Sequence, residues 1–151
     1  MDDPYRLERF TRAQDARGIY QRAVAELRAG RKASHWMWFV FPQIAGLGLS
    51  AMSREFAVSS LAEAQAYLRH PVLGPRLIEC ATIVAGTDGK SAADIFGSVD
   101  AMKLRSSMTL FMAAGPGEGV FARVLAKYFD GAPDGATMEK LMGTDTQPIS
   151  E

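Results

Sequence analysis

Ser34-His35-Trp36-Met37-Trp38-Phe39-Val40-Phe41-Pro42-Gln43 is the stretch whose reading decides the fold. It holds both tryptophans, one of the two histidines and six consecutive apolar residues, and Pro42 closes it. Six large apolar side chains left in water would forfeit roughly 1.5–3 kcal/mol each, so the rest of the molecule is expected to be built around them. Ser34 is placed to cap a short helix over the run, which must end near Phe41 because a residue before proline is pushed out of helical geometry. The same four to six residues could instead pair as one central strand. Polar groups flank the apolar mass: Ser34 and His35 before it, Gln43 after it, and the basic stretch Arg28-Ala29-Gly30-Arg31-Lys32 upstream. Such an arrangement suits a core, and it also suits a ligand pocket.

Outward from this run the chain reads as helix punctuation. Asp3 before Pro4 predicts an N-cap with proline at the first helical position, opening a helix that carries Leu7 and Phe10. A second helix follows Asp15, with Ile19, Ala23, Val24 and Leu27 on one face, and Gly30 stops it. Ser50 opens a short helix through Phe56. Ser60 and Glu63 have the spacing of a capping box, and so, more weakly, do Ser91 and Asp94. The first box opens a helix that ends near His70-Pro71, and another runs to Val84 with Leu73, Leu77, Cys80 and Ala81 inward. His70 reads as a cap or a surface residue, and Cys80 as a core thiol. Ser98 to Gly115 is the best-defined helix, with Ala101, Leu104, Met108, Phe111 and Met112 within about 100° of its circumference. Val120, Phe121, Val124, Leu125 and Tyr128 mark the next, ended by Asp130-Gly131, and a last short helix follows Asp134. The expected fold is all-α, a compact irregular multi-helical single domain over residues 1–142. A minor β element in Trp36–Phe41 is the one exception, and residues 143–151 are expected to form a disordered tail.

Bulk composition excludes several classes. A chain of 151 residues is long enough to bury roughly 68–70% of its unfolded surface as one domain. Seventeen basic residues balance seventeen acidic ones, so no overall field steers it to nucleic acid or anionic membrane. The single cysteine, Cys80, excludes an internal disulfide and suits a reducing compartment. No apolar run approaches the roughly 18 residues of a membrane helix, and the acidic start lacks a signal-like apolar region. The expectation is a soluble, cytoplasmic domain without membrane or nucleic-acid partners. The two histidines are far apart, and with one cysteine they form no metal-ligand spacing, so neither metal nor cofactor is implied.

Two segments carry groups suited to an anion. In the helix around Asp100, wheel geometry places Asp100, Lys103 and Ser107 within about 60° of one another, with Ser106 a further 60° round. Lys103 and the two hydroxyls could hold a phosphate or carboxylate, since ammonium and hydroxyl both donate to oxygen. The plainer alternative is an i,i+3 surface pair between Asp100 and Lys103, with the serines bonded back to helix carbonyls. Arg31 and Lys32 precede the expected helix N-terminus at Ser34, another place that favours an anion. Trp36 or Trp38 could stack a planar ring, with His35 and Gln43 supplying hydrogen bonds. If the domain is catalytic, His35 or Asp100 is the acid–base candidate. Gly115-Pro116-Gly117-Glu118-Gly119 lacks the preceding strand that a nucleotide loop needs and reads as a cap and loop.

The chain resembles, over almost its whole length, the uncharacterised bacterial family catalogued as domain of unknown function 1810. The resemblance is carried by Tyr5 to Phe10 with Ala13-Gln14-Asp15, by Leu27 to Lys32, and by Ser34 through Gln43. It continues in Ala66 to Leu73, in Ile95-Phe96-Gly97 and in Lys103 through Phe111. That family implies a compact helical fold and no established activity. A second resemblance is to the NADAR superfamily of ADP-ribose-related N-glycosidases. It lies in the order of a His-Pro-Val-Leu helix, an Ile-Phe-Gly segment and an Asp-x-x-Lys helix. No counterpart of that superfamily's glutamate follows the aromatic run, which weighs against hydrolysis more than against binding. Together these readings predict a binding or hydrolytic domain for a nucleotide-like, phosphorylated, ADP-ribose-related small molecule. Arg31, Lys32 and Lys103 would neutralise charge, Trp36 or Trp38 would stack, and Gln43, Ser106 and Ser107 would donate. The alternative is a non-enzymatic protein-interaction domain.

Overall fold

Local capping sets most of the helix boundaries. The computed structural model describes residues 3–146, with side chains through residue 143. Among these, α1 spans Glu8–Asp15, α2 Ile19–Arg28, α3 Met37–Val40, α4 Ala51–Glu55 and α5 Leu61–Arg69. Then come α6 Leu73–Gly86, α7 Ala92–Phe96, α8 Ser98–Ala114, α9 Val120–Phe129 and α10 Gly135–Thr146. The Ser50 hydroxyl accepts the Ser53 N–H, and the Ser91–Asp94 box is complete in both directions. His70 caps α6 through Nδ1, which accepts the Val72 and Leu73 N–H groups at 3.1 and 3.2 Å. After α2, Gly30 takes φ +76°, and the Arg31 N–H returns to the Glu26 carbonyl at 3.0 Å. This is the glycine-terminated helix end expected there.

Five local expectations are corrected. Asp3 does cap α1, but at a distance: its carboxylate accepts the Leu7 and Glu8 N–H groups, and the helix starts only at Glu8. Ser60 caps α5, yet the other half of its box is diverted, because the Glu63 carboxylate bonds Ser59 and Arg9 instead. Ser34 does not cap α3; its hydroxyl donates to Glu26. The tryptophan run is one helical turn rather than a strand. The β element lies beside it as a single parallel bridge between Ile44 and Val58. Of the expected tail, Gly143–Thr146 continue α10, and residues 147–151 lie outside the described residues.

The helix α8 is the axis of the molecule and packs against α5, α7, α9 and α10. Leu104, Met108, Leu110 and Phe111 are wholly buried, joined by Phe121 and Val124 of α9 and by Tyr67 of α5. The corner between α5 and α6 requires glycine: a Cβ on Gly74 would lie 2.1 Å from the Leu68 carbonyl oxygen. The one-turn helix α3 sits against α1, where the buried Gln14 carboxamide donates to the Phe39 carbonyl at 2.7 Å and accepts from Arg76. Arg9 locks α1 to the segment after α4. Its guanidinium donates to four carbonyls, of Tyr5, Arg6, Glu55 and Ala57, and to the Glu63 carboxylate. All five donors of that fork are engaged, so Arg9 holds the fold and has none left for a ligand. Among the described residues, no helix is long and apolar enough to cross a membrane.

Candidate functional site

Two lysine–tryptophan pairs meet at one carboxylate. Asp100, in the first turn of α8, lies with Oδ2 2.8 Å from Lys32 Nζ and Oδ1 3.4 Å from Lys103 Nζ. Lys32 Nζ sits 5.0 Å from the centre of the Trp36 ring, and Lys103 Nζ 4.5 Å from that of Trp38. Both ammonium groups are within cation–π range. The pairs differ in what lies in front of them.

The Trp36 pair is sealed. Its ring has no exposed surface and packs against Phe41 and Phe96, which also touch each other. The Lys32 backbone N–H donates to Ile95, and its ammonium to the Ser34 carbonyl at 2.6 Å. Behind the ring stands Glu26, in the last turn of α2. Its carboxylate accepts the N–H groups of Ala33 and Ser34, the Ser34 hydroxyl and the Trp36 indole N–H, all within 2.6–3.0 Å. Burial pushes its pKa up, but these hydrogen bonds outweigh burial and hold it at about 2, against a usual 4.5.

The Trp38 pair opens into a cavity of about 600 Å³. Trp38 forms one wall, with Gln43, Ile44 and the loop Gly46-Leu47-Gly48-Leu49 beside it. Ser50, Ser53 and Phe56 close a second side. The first turns of α8 supply Val99, Met102, Lys103 and Ser106, and Asp134 and Ala136 stand at the start of α10. The volume is in the range of small-molecule sites, and the lining is mainly apolar with a few convergent polar groups. Asp134 is committed to capping, since its Oδ2 accepts the N–H and hydroxyl of Thr137.

The expected site residues therefore separate. Trp38, Gln43, Lys103 and Ser106 line the cavity together. Asp100 stands behind Lys103 as its ion partner. Lys32 and Trp36 belong to the sealed side, so any stacking role falls to Trp38. Arg31 and His35 are exposed and do not line the cavity. Ser106 bonds back to the Met102 carbonyl at 3.2 Å, whereas the Ser107 hydroxyl is wholly buried and makes no hydrogen bond among the described residues. Cys80 is buried in the core, which pushes its thiol up to about 12 and leaves it inert. Among the described residues, no three His, Cys, Asp or Glu side chains are grouped to hold a metal ion.

Sequence reasoning missed Glu26 and the loop Gly46–Leu49. Glu26 did leave a signal: an acidic residue in the last turn of a helix faces the negative end of the dipole and calls for a compensating partner. The loop left none beyond its glycines.

The chain matches the family model for "Protein of unknown function (DUF1810)" over residues 4–141. It is also similar to a solved structure, the conserved hypothetical protein Rv1873 from Mycobacterium tuberculosis. The two are 51% identical with a TM-score of 0.90, over 93% of this chain and 99% of that one. No curated protein matches. These findings bear out the first resemblance drawn from the sequence; a likeness to the NADAR superfamily is not shown by them.

Proposed function

We propose, for a chain that belongs to the DUF1810 family, that the cavity beside Trp38 binds a nucleotide-like small molecule with a planar ring and an acidic, phosphate-type group. The observation that carries this reading is the meeting of Lys103 and Trp38 in one wall of a 600 Å³ cavity, with the ammonium 4.5 Å from the ring. Trp38 and Lys103 are 65 residues apart in sequence, and the fold brings them together at an opening and not in the core. Trp38 supplies a face for a base or similar ring, Lys103 a counter-charge, and Gln43, Ser50 and Ser53 hydrogen-bonding groups at the margin.

The reading is of binding rather than hydrolysis. His35 and Asp100, the two acid–base candidates, do not line the cavity. An ADP-ribose-related molecule is the finer form of this proposal, and a direct screen tests it. Thermal shift against AMP, GMP, NAD and ADP-ribose, each beside a Lys103→Ala variant, should show a shift that the variant loses. A ligand at 100 times its dissociation constant adds roughly 2.7 kcal/mol of stability. No shift with any of them, or the same shift in the variant, would sink the reading.

One observation favours the non-enzymatic alternative. Leu49 and Val99, both at the cavity, are 83% and 68% exposed. A protein partner covering the cavity mouth would bury them. Protection of the segment around Leu49 from hydrogen exchange only in the presence of a captured partner would favour that reading.

A further inference from the structure

The cavity wall is graded in polarity from its opening inwards. Val99, Met102, Lys103 and Ser106 have the i, i+3, i+4, i+7 spacing of one helix face, so a single stripe of α8 about 10 Å long carries the wall from rim to floor. Ser106 is buried, Lys103 half-buried, and Met102 and Val99 are 52% and 68% exposed. Leu49, in the loop before α4, joins them at the opening and is 83% exposed. Polar side chains of the lining are less exposed: Gln43, Ser53 and Asp134 are half-buried, and the exposed Ser50 hydroxyl caps α4 through the Ser53 N–H. Charge at the cavity is mixed, since Lys103 and Asp134 both line it and a Cβ on Gly46 would lie 3.0 Å from the Lys140 ammonium. The apolar surface is one-sided. An apolar mouth above a polar interior reverses the usual ordering, in which apolar groups are withdrawn and polar groups meet water.

We infer, resting on the binding reading above, that the ligand is an amphiphile: a planar, acidic molecule with an apolar substituent remote from its acidic group. The acid and the ring lie at Lys103 and Trp38, and the substituent leaves the cavity across Val99, Met102 and Leu49. Val99 stands four residues before Lys103 on α8, about 6 Å along the axis, so a substituent of about four carbons spans from ring to rim. A flat protein surface laid over the mouth would cover the rim and leave the interior beside Lys103 unfilled. A molecule with one polar and one apolar end meets both.

The test adds an apolar group to one nucleotide of the screen. Calorimetric titration of the whole chain compares AMP with its N6-ethyl, N6-butyl and N6-(3-hydroxypropyl) derivatives, in which the substituent stands on the base edge remote from the phosphate. A fully buried methylene tightens binding about fourfold and a half-covered one about twofold, so N6-butyl-AMP should bind roughly tenfold or more tightly than AMP. The ethyl compound should fall between them, and the hydroxypropyl compound, equal in length to the butyl, should gain less than about threefold. In a Leu49→Ser, Val99→Ser double variant, with both positions exposed, the ratio of butyl to parent affinity should fall by about fivefold or more. General damage to the fold would weaken every compound together and leave that ratio alone. Binding of AMP with no gain from the butyl group would overturn the inference, leave the binding reading standing and give the apolar rim to a protein partner. A gain preserved in the double variant, or an equal gain from the hydroxypropyl group, would overturn it as well. Binding of neither AMP nor its butyl derivative would also overturn it, while GMP, NAD and ADP-ribose in the thermal-shift screen still decide the reading on which it rests.

Discussion

Lys32 with Trp36 and Lys103 with Trp38 are the same two residue types, at similar separations, joined through the same aspartate. One pair is core and the other is cavity wall. The difference comes from what stands in front of each ring. Trp36 has Phe41 and Phe96 packed against it and the Glu26 carboxylate on its indole nitrogen, and no part of it is exposed. Trp38 has the glycine-containing loop Gly46–Leu49 before it, which lines an opening instead of filling it. The pairing chemistry alone therefore does not mark a site; the packing around it does.

Substitution should pull the two halves apart. The largest expected effect is that of Trp36→Ala, which empties a wholly buried ring and should cost about 3–5 kcal/mol in chemical denaturation. A loss under about 1 kcal/mol would break the comparison, because the sealed half would not then be holding the fold. Glu26→Ala should follow at about 1–3 kcal/mol, since it leaves the indole N–H of the buried Trp36 and the half-buried Ser34 donors without their acceptor. Glu26 also predicts an acid limb. Its folded pKa lies below its ordinary value, so its contribution is complete above about pH 4.5 and is lost as the pH falls towards about 2. Urea midpoints measured between pH 5 and 2 should fall more steeply for the unaltered protein than for Glu26→Gln.

On the open side the order of effects reverses. Trp38→Ala should cost only about 1–2 kcal/mol of stability, as befits a half-buried ring, yet abolish binding of any ring-bearing ligand that the screen finds. Lys103→Ala should change stability by less than about 1 kcal/mol and weaken an anionic ligand at least tenfold. The smallest effect is spectroscopic. Acrylamide should quench Trp38 and spare Trp36, so Trp38→Phe should remove most of the quenchable emission. Equal quenching in both single-tryptophan variants would erase the distinction.

What was legible in the sequence was local. Ser50, Ser91, His70 and Asp134 cap helices because the donors they satisfy lie within three residues. The burial of the tryptophan run was legible too, since six consecutive apolar residues have nowhere else to go. The assignment of the two tryptophans was not. They are two positions apart, in and just before a single helical turn, and which ring is sealed depends on Glu26, ten residues before Trp36, and on Phe96, sixty after it. Ser34 was misread for the same reason: the carboxylate eight residues upstream outcompetes the helix start one turn ahead. The strip of Asp100 and Lys103 was found by helical periodicity, but its tie to Lys32 spans nearly half the chain.

The hydrogen bond from Gln14 to the Phe39 carbonyl has a consequence for the order in which the molecule assembles. Four residues of α3 are too few to repay the cost of nucleating a helix, so the turn carrying Trp38 has no stability of its own. It exists because a side chain from α1 supplies one donor and the carboxylate of α2 anchors its entrance. The framework must therefore be in place before the cavity wall can form. Substitutions at Trp38 are expected to speed unfolding while leaving the refolding rate nearly unchanged, whereas substitutions of the buried residues Leu104 and Phe111 of α8 or Phe121 of α9 should slow refolding. The cavity wall is then the last part of the chain to be set and the first to be released.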